Sequence, residues 1–600
     1  MIRSVQAVIS ARMPDFLICH FMLRLFCAVV FCACLFPAHA DVGTEEFLRD
    51  QERQRQLRER VLPETEVRLP RREPEDSDFR LPVSESPCFT VNAVTLEGER
   101  ADRFHSALES LLENSGFIPG MCLGGNGVNF IMSRLQDRVI ADGYVTTRIV
   151  ARSQNIAEEQ KIVLLVIPGK IRHLRFHGVA AREEWRGNAE RTQYFRNEFP
   201  MKEGDWLNLR DIETALENFR RLSSVEAEFE IAPGDVPGES DIVIKWRQKF
   251  PLRLTLSADD SGSRQTGKNQ GTVALSFENP LGLSDILYGY YSHDLGHKKR
   301  SKDQATGQER ASGTEGHGLH YSVPFADWTL AYNYGYSEYQ QAVAGFFTDY
   351  LYWGTSRTHD LTATRILYRD GSRKTTVGAG LWFRASRNYI DDAELTIQRR
   401  RTAGWRMEAA HTEHIDSATL HARIRYKRGT GLHDSLRAPE EEFGEGTSRM
   451  RLINADISLG LPFFLGGERF AFSSHAHIQH NQTPLIAQDK LSIGNRYTVR
   501  GFDGETTLMA ERGYYWRNEL VWHYTSGHQV YALWDRGKVG GPSAKWLAGT
   551  TLEGAGVGAR GQMKAGGNWF YDLSLARPVK APKPLFSSGF VIAASLSLSF

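Results

Sequence analysis

FVIAASLSLSF, residues 590–600, closes the chain. One side of its alternation carries Phe590, Ile592, Ala594, Leu596, Leu598 and Phe600, and the other carries Val591, Ala593, Ser595, Ser597 and Ser599. A period of two puts successive side chains on opposite faces of a strand, so the two faces meet different surroundings. About eleven residues, apolar on one face and small or polar on the other, have the length and pattern of a transmembrane β-strand. An edge strand of a soluble sandwich would also alternate, but it leaves the rest of the chain unexplained.

Upstream of this tail, helical periodicity is missing back to about Pro251. Alternating stretches recur instead, such as Leu254/Leu256/Ala258, Val273/Leu275/Phe277 and Trp328/Leu330/Tyr332/Tyr334/Tyr336. Long hydrophilic segments such as 293–316 separate some of them. Short turns on one side and long polar loops on the other describe a membrane barrel. Roughly 350 residues at about 20–24 per strand and loop give about 14–18 strands, and sixteen is the expectation. The fold class is therefore mostly β, an antiparallel transmembrane barrel over 249–600 with smaller modules before it.

Two α+β modules are expected ahead of the barrel. In the first, 88–168, residues 88–96 alternate as a strand. Phe104, Leu108, Leu111 and Leu112 mark one amphipathic helix, and Ile131, Leu135 and Val139 mark a second that ends at Gly143. Strands over 144–151 and 161–167 complete a β-α-α-β-β order. The second, 169–248, repeats it with strands over 170–176, 227–231 and 240–246. Its helix carries Ile212, Leu216 and Phe219 behind an Asn208 N-cap, with a less regular first helix around 185–195.

Residues 44–61, TEEFLRDQERQRQLRERV, have high helix propensity, with acidic residues leading and basic ones trailing. The apolar stripe is too thin for a core, so this helix (41–61) must be solvated or sit in a polar cavity such as a barrel lumen. A Pro-rich, charged linker, 62–87, follows. At the N-terminus, Arg3, Arg12 and Arg24, the apolar run 25–36 and the small-x-small site Ala38-His39-Ala40 read as a signal peptide, 1–40. Its removal would take Cys19, Cys27, Cys32 and Cys34 and leave Cys88 and Cys122. Two cysteines in an exported chain suggest one disulfide, stabilising its module by about 3–4 kcal/mol on the chain-entropy model.

Bulk properties agree. Six hundred residues need several domains, and a formal net charge of +1 argues against a broad basic surface for nucleic acid. A mean hydropathy of -0.40 excludes a polytopic helical membrane protein but not a barrel.

Four stretches carry a specific resemblance. They are Pro87-Cys88-Phe89 with Gly120-Met121-Cys122-Leu123 and GYVTTR (143–148); PGDVPGESDIVI (233–244); DDSGSRQTGKNQG…FENPLGLSDIL (259–287); and VRGF, Val499-Arg500-Gly501-Phe502. In this order they resemble an outer-membrane transporter of two-partner secretion, the TpsB family of haemolysin, haemagglutinin and contact-dependent-toxin exporters. The resemblance implies that the two modules are POTRA modules in the periplasm. It also implies that the aromatic-ended last strand is a barrel-assembly signal and that the 44–61 helix plugs the pore.

In that family the VRGF segment tips a long loop, here about 485–513, that folds back into the lumen. An arginine pushed into a lumen needs a carboxylate, because an unpaired buried charge is expensive. Asp535 is the expected partner, in Asp535-Arg536-Gly537, which resembles the family's D-x-G strand. Two departures are visible: Gly494-Asn495 stands where two glycines are common, and Glu511-Arg512-Gly513 where the family often has an aspartate.

Signals for catalysis are weak. His411-Thr-Glu-His414 is not a metalloprotease motif, and in a strand its histidines fall on opposite faces. No nucleotide-binding or nucleophile-elbow motif stands in context. The expectation is a non-enzymatic transporter without metal or cofactor. Its implied partners are one large exoprotein, outer-membrane lipid and the barrel-assembly machinery, and no nucleic acid. The runner-up is a general barrel-assembly insertase. A nutrient receptor or porin and a barrel enzyme stand further off.

Overall fold

A computed structural model describes residues 42–62, 66–69, 80–82, 85–177, 197–296, 300–302, 309–344, 349–585 and 589–600. The signal peptide expected over 1–40, most of the expected linker and the helix expected around 185–195 lie outside the described residues.

The first module runs β1 (Cys88–Val91), β2 (Ala93–Gly98), α2 (His105–Ser115), β3 (Met121–Gly124), α3 (Gly125–Ala141), β4 (Arg148–Ala151) and β5 (Lys161–Ile167); α1 (Val42–Val61) precedes it. The single strand expected over 88–96 is two. β1 pairs antiparallel with β3, Cys88 opposite Gly124, whereas β2 pairs parallel with β5. The expected strand over 144–151 also starts late, because Thr147 N–H donates back to the Tyr144 carbonyl and makes a turn there. Cys88 and Cys122 form a disulfide across the β1–β3 pair.

The second module comprises β6 (Lys170–His177), α4 (Leu209–Arg220), β7 (Val225–Pro233) and β8 (Glu239–Gln248). Its sheet order is β6-β8-β7. Asn208 caps α4, its side chain accepting from Arg210 N–H at 2.8 Å. The modules are locked by Trp206, which leaves its own module and stacks on Phe104 (6.3 Å) and edge-on against Tyr144 (5.9 Å) in the first. Trp206 Nε1–H and Lys170 Nζ both reach Glu99, at 3.2 and 2.7 Å.

Sixteen long strands close the barrel. They are β9 (Leu252–Asp259), β10 (Gln270–Glu278), β11 (Ile286–Asp294), β12 (Gly313–Phe325), β13 (Trp328–Ala344), β14 (Asp349–Arg369), β15 (Arg373–Ile390) and β16 (Arg400–Ile415). There follow β17 (Ala418–Thr430), β18 (Arg451–Leu465), β19 (Glu468–Asn481), β20 (Arg512–Thr525), β21 (His528–Gly540), β22 (Thr551–Lys564), β23 (Asn568–Lys580) and β24 (Val591–Ser599). The two-residue Ala393–Glu394 merely folds back on the end of β15.

The tail closes the ring. Residues 595–599 of β24 pair antiparallel with 255–259 of β9, and Phe600 N–H donates to the Leu254 carbonyl. Leu254, Leu256, Val273, Leu275, Ile592 and Leu596 all face outward, as a lipid-facing band requires.

Alternate residues face a polar lumen, and α1 runs through it. Its N-terminal half meets Arg384 of β15, whose guanidinium lies 5.5 Å from the Phe47 ring. Its C-terminal half bonds Asn333 of β13 through Arg58 (2.6 Å) and places Arg60 over Phe570 of β23 (4.4 Å). A helix with charge on every side is stable here because wall side chains and internal pairs, such as Arg49–Glu46 at 2.6 Å, satisfy it.

Candidate functional site

The connection 482–511 between β19 and β20 does not leave the barrel. It makes a short hairpin, Leu491–Ile493 against Leu508–Ala510, and the tip between them lies on the inner wall. Asn495 builds the turn into the tip: its Oδ1 accepts from the N–H groups of Tyr497 (2.9 Å) and Thr498 (3.1 Å). That side chain gives the loop a defined turn at one of the positions that depart from the family pattern.

Val499 and Phe502 sink into an apolar cluster with Ile493, Leu508, Val539 and Leu552. Gly537 of β21 makes room for it, since a Cβ there would stand 2.8 Å from Val499 Cγ2. Gly501 turns the chain with φ +100°. Between them Arg500 points at β20 and β21. Its Nε and Nη2 donate to the two oxygens of Asp535 at 2.7 and 2.8 Å, and its own backbone N–H donates to Oδ2 at 3.0 Å. Asp535 is 0% exposed and accepts a further bond from Asn518 N–H at 3.3 Å. Such a bidentate, fully bonded pair is the geometry in which a buried ion pair is tolerated.

The structure thus brings Val499, Arg500, Gly501, Phe502, Asp535 and Gly537 together. It also adds residues that motif reading did not single out. Glu519 of β20 takes the remaining Arg500 nitrogen, and Arg560 of β22 pairs with Glu519 at 2.9 Å. Asp489, at the base of the loop, pairs with Arg384 (3.1 Å) and lies 3.5 Å from Lys427. Glu511, the other departure, accepts from Ser543 N–H (3.1 Å) and faces Lys490 (3.3 Å), tying the loop base to the next loop. A signal for Glu519 and Arg560 did exist: residue parity puts both on the lumen face of their strands, where a buried charge needs a partner.

The loop also touches α1. Arg49 Nη2–H donates to the Gly504 carbonyl at 2.6 Å, and Thr507 donates to Glu45 at 3.0 Å. At the other end of the pore the second module is fixed to the rim. Glu217 of α4 binds Arg369 and Lys374 of β14 and β15, and Glu278 receives Ser224 N–H and Arg253 at 2.7 and 2.8 Å. A polar cleft of about 540 Å³ opens between both modules and this rim, lined by Arg100, Asp142, Trp206, Asp211 and Arg369 among others. Burial pushes the Asp211 carboxyl up to about 6, with Asp327 and Asp205 adding to the rise.

His411 and His414 do not converge: His411 pairs with Thr375 at 2.8 Å and His414 with Glu66 at 3.0 Å. Among the described residues no group of three His, Cys, Asp or Glu is placed to hold a metal ion.

A closed sixteen-stranded barrel with two periplasmic modules, a lumenal helix and an inward loop defines an outer-membrane transporter of the POTRA–barrel class. The haemolysin secretion/activation model (ShlB/FhaC/HecB) matches residues 238–561, and POTRA models match 89–169 and 170–233. The chain is 33% identical to the outer membrane transporter CdiB-2 of Burkholderia pseudomallei strain 1026b over 536 residues, 86% of this chain and 87% of that one. It is 23% identical to the haemolysin transporter ShlB of Serratia marcescens, over 68% and 69% of the two chains. The solved structure of CdiB from Acinetobacter baumannii superposes with a TM-score of 0.78 at 24% identity, covering 93% of this chain and 99% of that one. The chain belongs to the ShlB/FhaC/HecB haemolysin secretion/activation family of outer-membrane transporters.

Proposed function

We propose that this transporter exports one large exoprotein, a haemolysin, adhesin or contact-dependent toxin, as an extended chain through its lumen. The two POTRA modules receive the client. Their sheets offer edge strands, β2 and β4 in the first and β6 and β7 in the second, to which an extended segment adds by backbone hydrogen bonding. The client then enters from the cleft at the rim. With no nucleotide motif in the sequence, the driving force in this reading is folding of the client outside the cell, and the transporter is not an enzyme. Outer-membrane lipid on the apolar band and the barrel-assembly machinery during insertion complete its partners.

The observation that carries this reading is a lumen that holds both the helix α1 and the latched loop tip. The helix bonds wall side chains such as Asn333, and the VRGF tip, latched by Arg500 on Asp535 and Glu519, lies beside it. Transport requires α1 to leave and the loop to stay attached as the inner wall of a polar conduit. A secretion assay tests it. Deleting the gene should remove one large surface or culture-fluid protein, restored by the wild type but not by Arg500→Ala. Broad depletion of many outer-membrane barrels would instead indicate an assembly insertase.

A further inference from the structure

Residues 66–69, Glu-Val-Arg-Leu, lie as a strap across the joint between the second module and the barrel rim. Val67 is 4% exposed and joins the buried cluster that holds Leu57 and Val61 of α1 together with Leu216 and Phe219 of α4. Leu69 packs against the same cluster, and its N–H donates to Glu213 Oε1 at 2.8 Å. Glu213 is itself held by Arg210 Nη1 at 2.5 Å. The two charged residues point the other way, to the barrel: Arg68 donates to the Gly371 carbonyl in the β14–β15 turn at 3.2 Å, and Glu66 meets His414 near the end of β16 at 3.0 Å. Alternate apolar side chains in a cleft, with a backbone N–H bonded to its wall, are how a groove holds an extended peptide.

The strap is also coupled to the plug. Only residues 62–65 separate it from the end of α1, and a chain extends by at most about 3.3–3.6 Å per residue. The helix end and the strap therefore cannot move far apart.

We propose that this seat on α4 is a peptide-binding groove whose resident occupant is the strap. In this assignment an extended segment of the exported polypeptide, with apolar residues at alternate positions and charged residues between them, takes the place of 66–69. Its entry unfastens the end of α1. The idea rests on the export reading above and names the chemistry of the client segment. A tethered strap acts at an effective concentration on the order of millimolar. A free peptide therefore competes poorly with it, whereas a client already held on the POTRA modules is tethered too.

The test uses a fluorescent peptide of sequence 64–71, titrated against the full-length transporter in detergent micelles by anisotropy. Val67→Asp/Leu69→Asp empties the seat, so this variant should bind the peptide at least tenfold more tightly than wild type. A shuffled peptide with Val and Leu adjacent should not bind. In planar bilayers the same variant should open more often than wild type. Equal peptide affinity for variant and wild type, no binding to either, or equal binding of the shuffled peptide would overturn the proposal. If the double variant does not fold, Val67→Ala serves, with about a threefold difference expected and equality again counting against it. Neither readout uses an exported protein. A negative result here leaves the export reading standing, and failure of the secretion assay leaves the peptide result interpretable.

Discussion

Arg500 at the tip of the lumen loop and Asp535 on β21 share two side-chain hydrogen bonds, at 2.7 and 2.8 Å, and a third from the Arg500 backbone. Both are buried, so each neutralises a charge that has no other route to water, and Glu519 completes the set. Removing one member of a buried pair strands the other and costs about 3–5 kcal/mol. Asp535→Arg is therefore expected to free the loop tip and reduce secretion at least tenfold, while the barrel still inserts. Barrel insertion is checked by heat-modifiable migration on gels, and normal secretion by this variant would remove the latch from the mechanism.

Gly554 on β22 lets the loop lie flat, because a Cβ there would stand 1.8 Å from the Arg500 carbonyl oxygen. Gly554→Val should dislodge the VRGF tip without touching any charge. The expected phenotype matches that of Asp535→Arg, and protease accessibility of the loop in intact cells reads it out.

The helix α1 is held in the lumen by contacts on β11, β13 and β23, including Gln54 to Ser292, Arg58 to Asn333 and Arg60 over Phe570. Deleting 42–61 should raise single-channel conductance in planar bilayers several-fold. Unchanged conductance would show that the loop, not the helix, sets the resting barrier.

Glu198, in the second module, is 0% exposed and packs against Ser284 and Asp285 of a barrel turn. Burial pushes its carboxyl from 4.5 up to about 7. A raised carboxyl favours the folded joint when protonated. Its contribution, about 3 kcal/mol, is fully present below about pH 4.5 and is lost as pH rises through about 7. Proteolysis between module and barrel should accelerate from pH 5 to pH 8 in wild type and much less in Glu198→Gln.

The Cys88–Cys122 bond closes a sequence separation of 34 residues and ties β1 to β3. Its loss in Cys88→Ser should lower the stability of the first module by about 3–4 kcal/mol. Urea unfolding of the isolated periplasmic region under oxidising and reducing conditions would check this, with coincident curves counting against it.

Much of this was legible in the chain. The alternation of 590–600 sets a strand with one lipid face, because side-chain direction in a strand depends only on residue parity. The Cys pair, the Asn208 cap, the polar helix and the need of Arg500 for a carboxylate follow equally from local chemistry. Other features depend on which strands and modules end up opposite one another, and no local pattern encodes that. Parity places Glu519 and Arg560 inside, yet only barrel closure sets Glu519 between Arg500 and Arg560. The split of 88–98 into two strands is decided by different partners, β3 and β5, at a distance in sequence. Trp206 stacking in the neighbouring module, and Val67 filling the joint between α4 and the plug, are likewise set in three dimensions. Apolar side chains there go wherever the assembled surfaces leave a space to fill, and those surfaces exist only once the chain has folded.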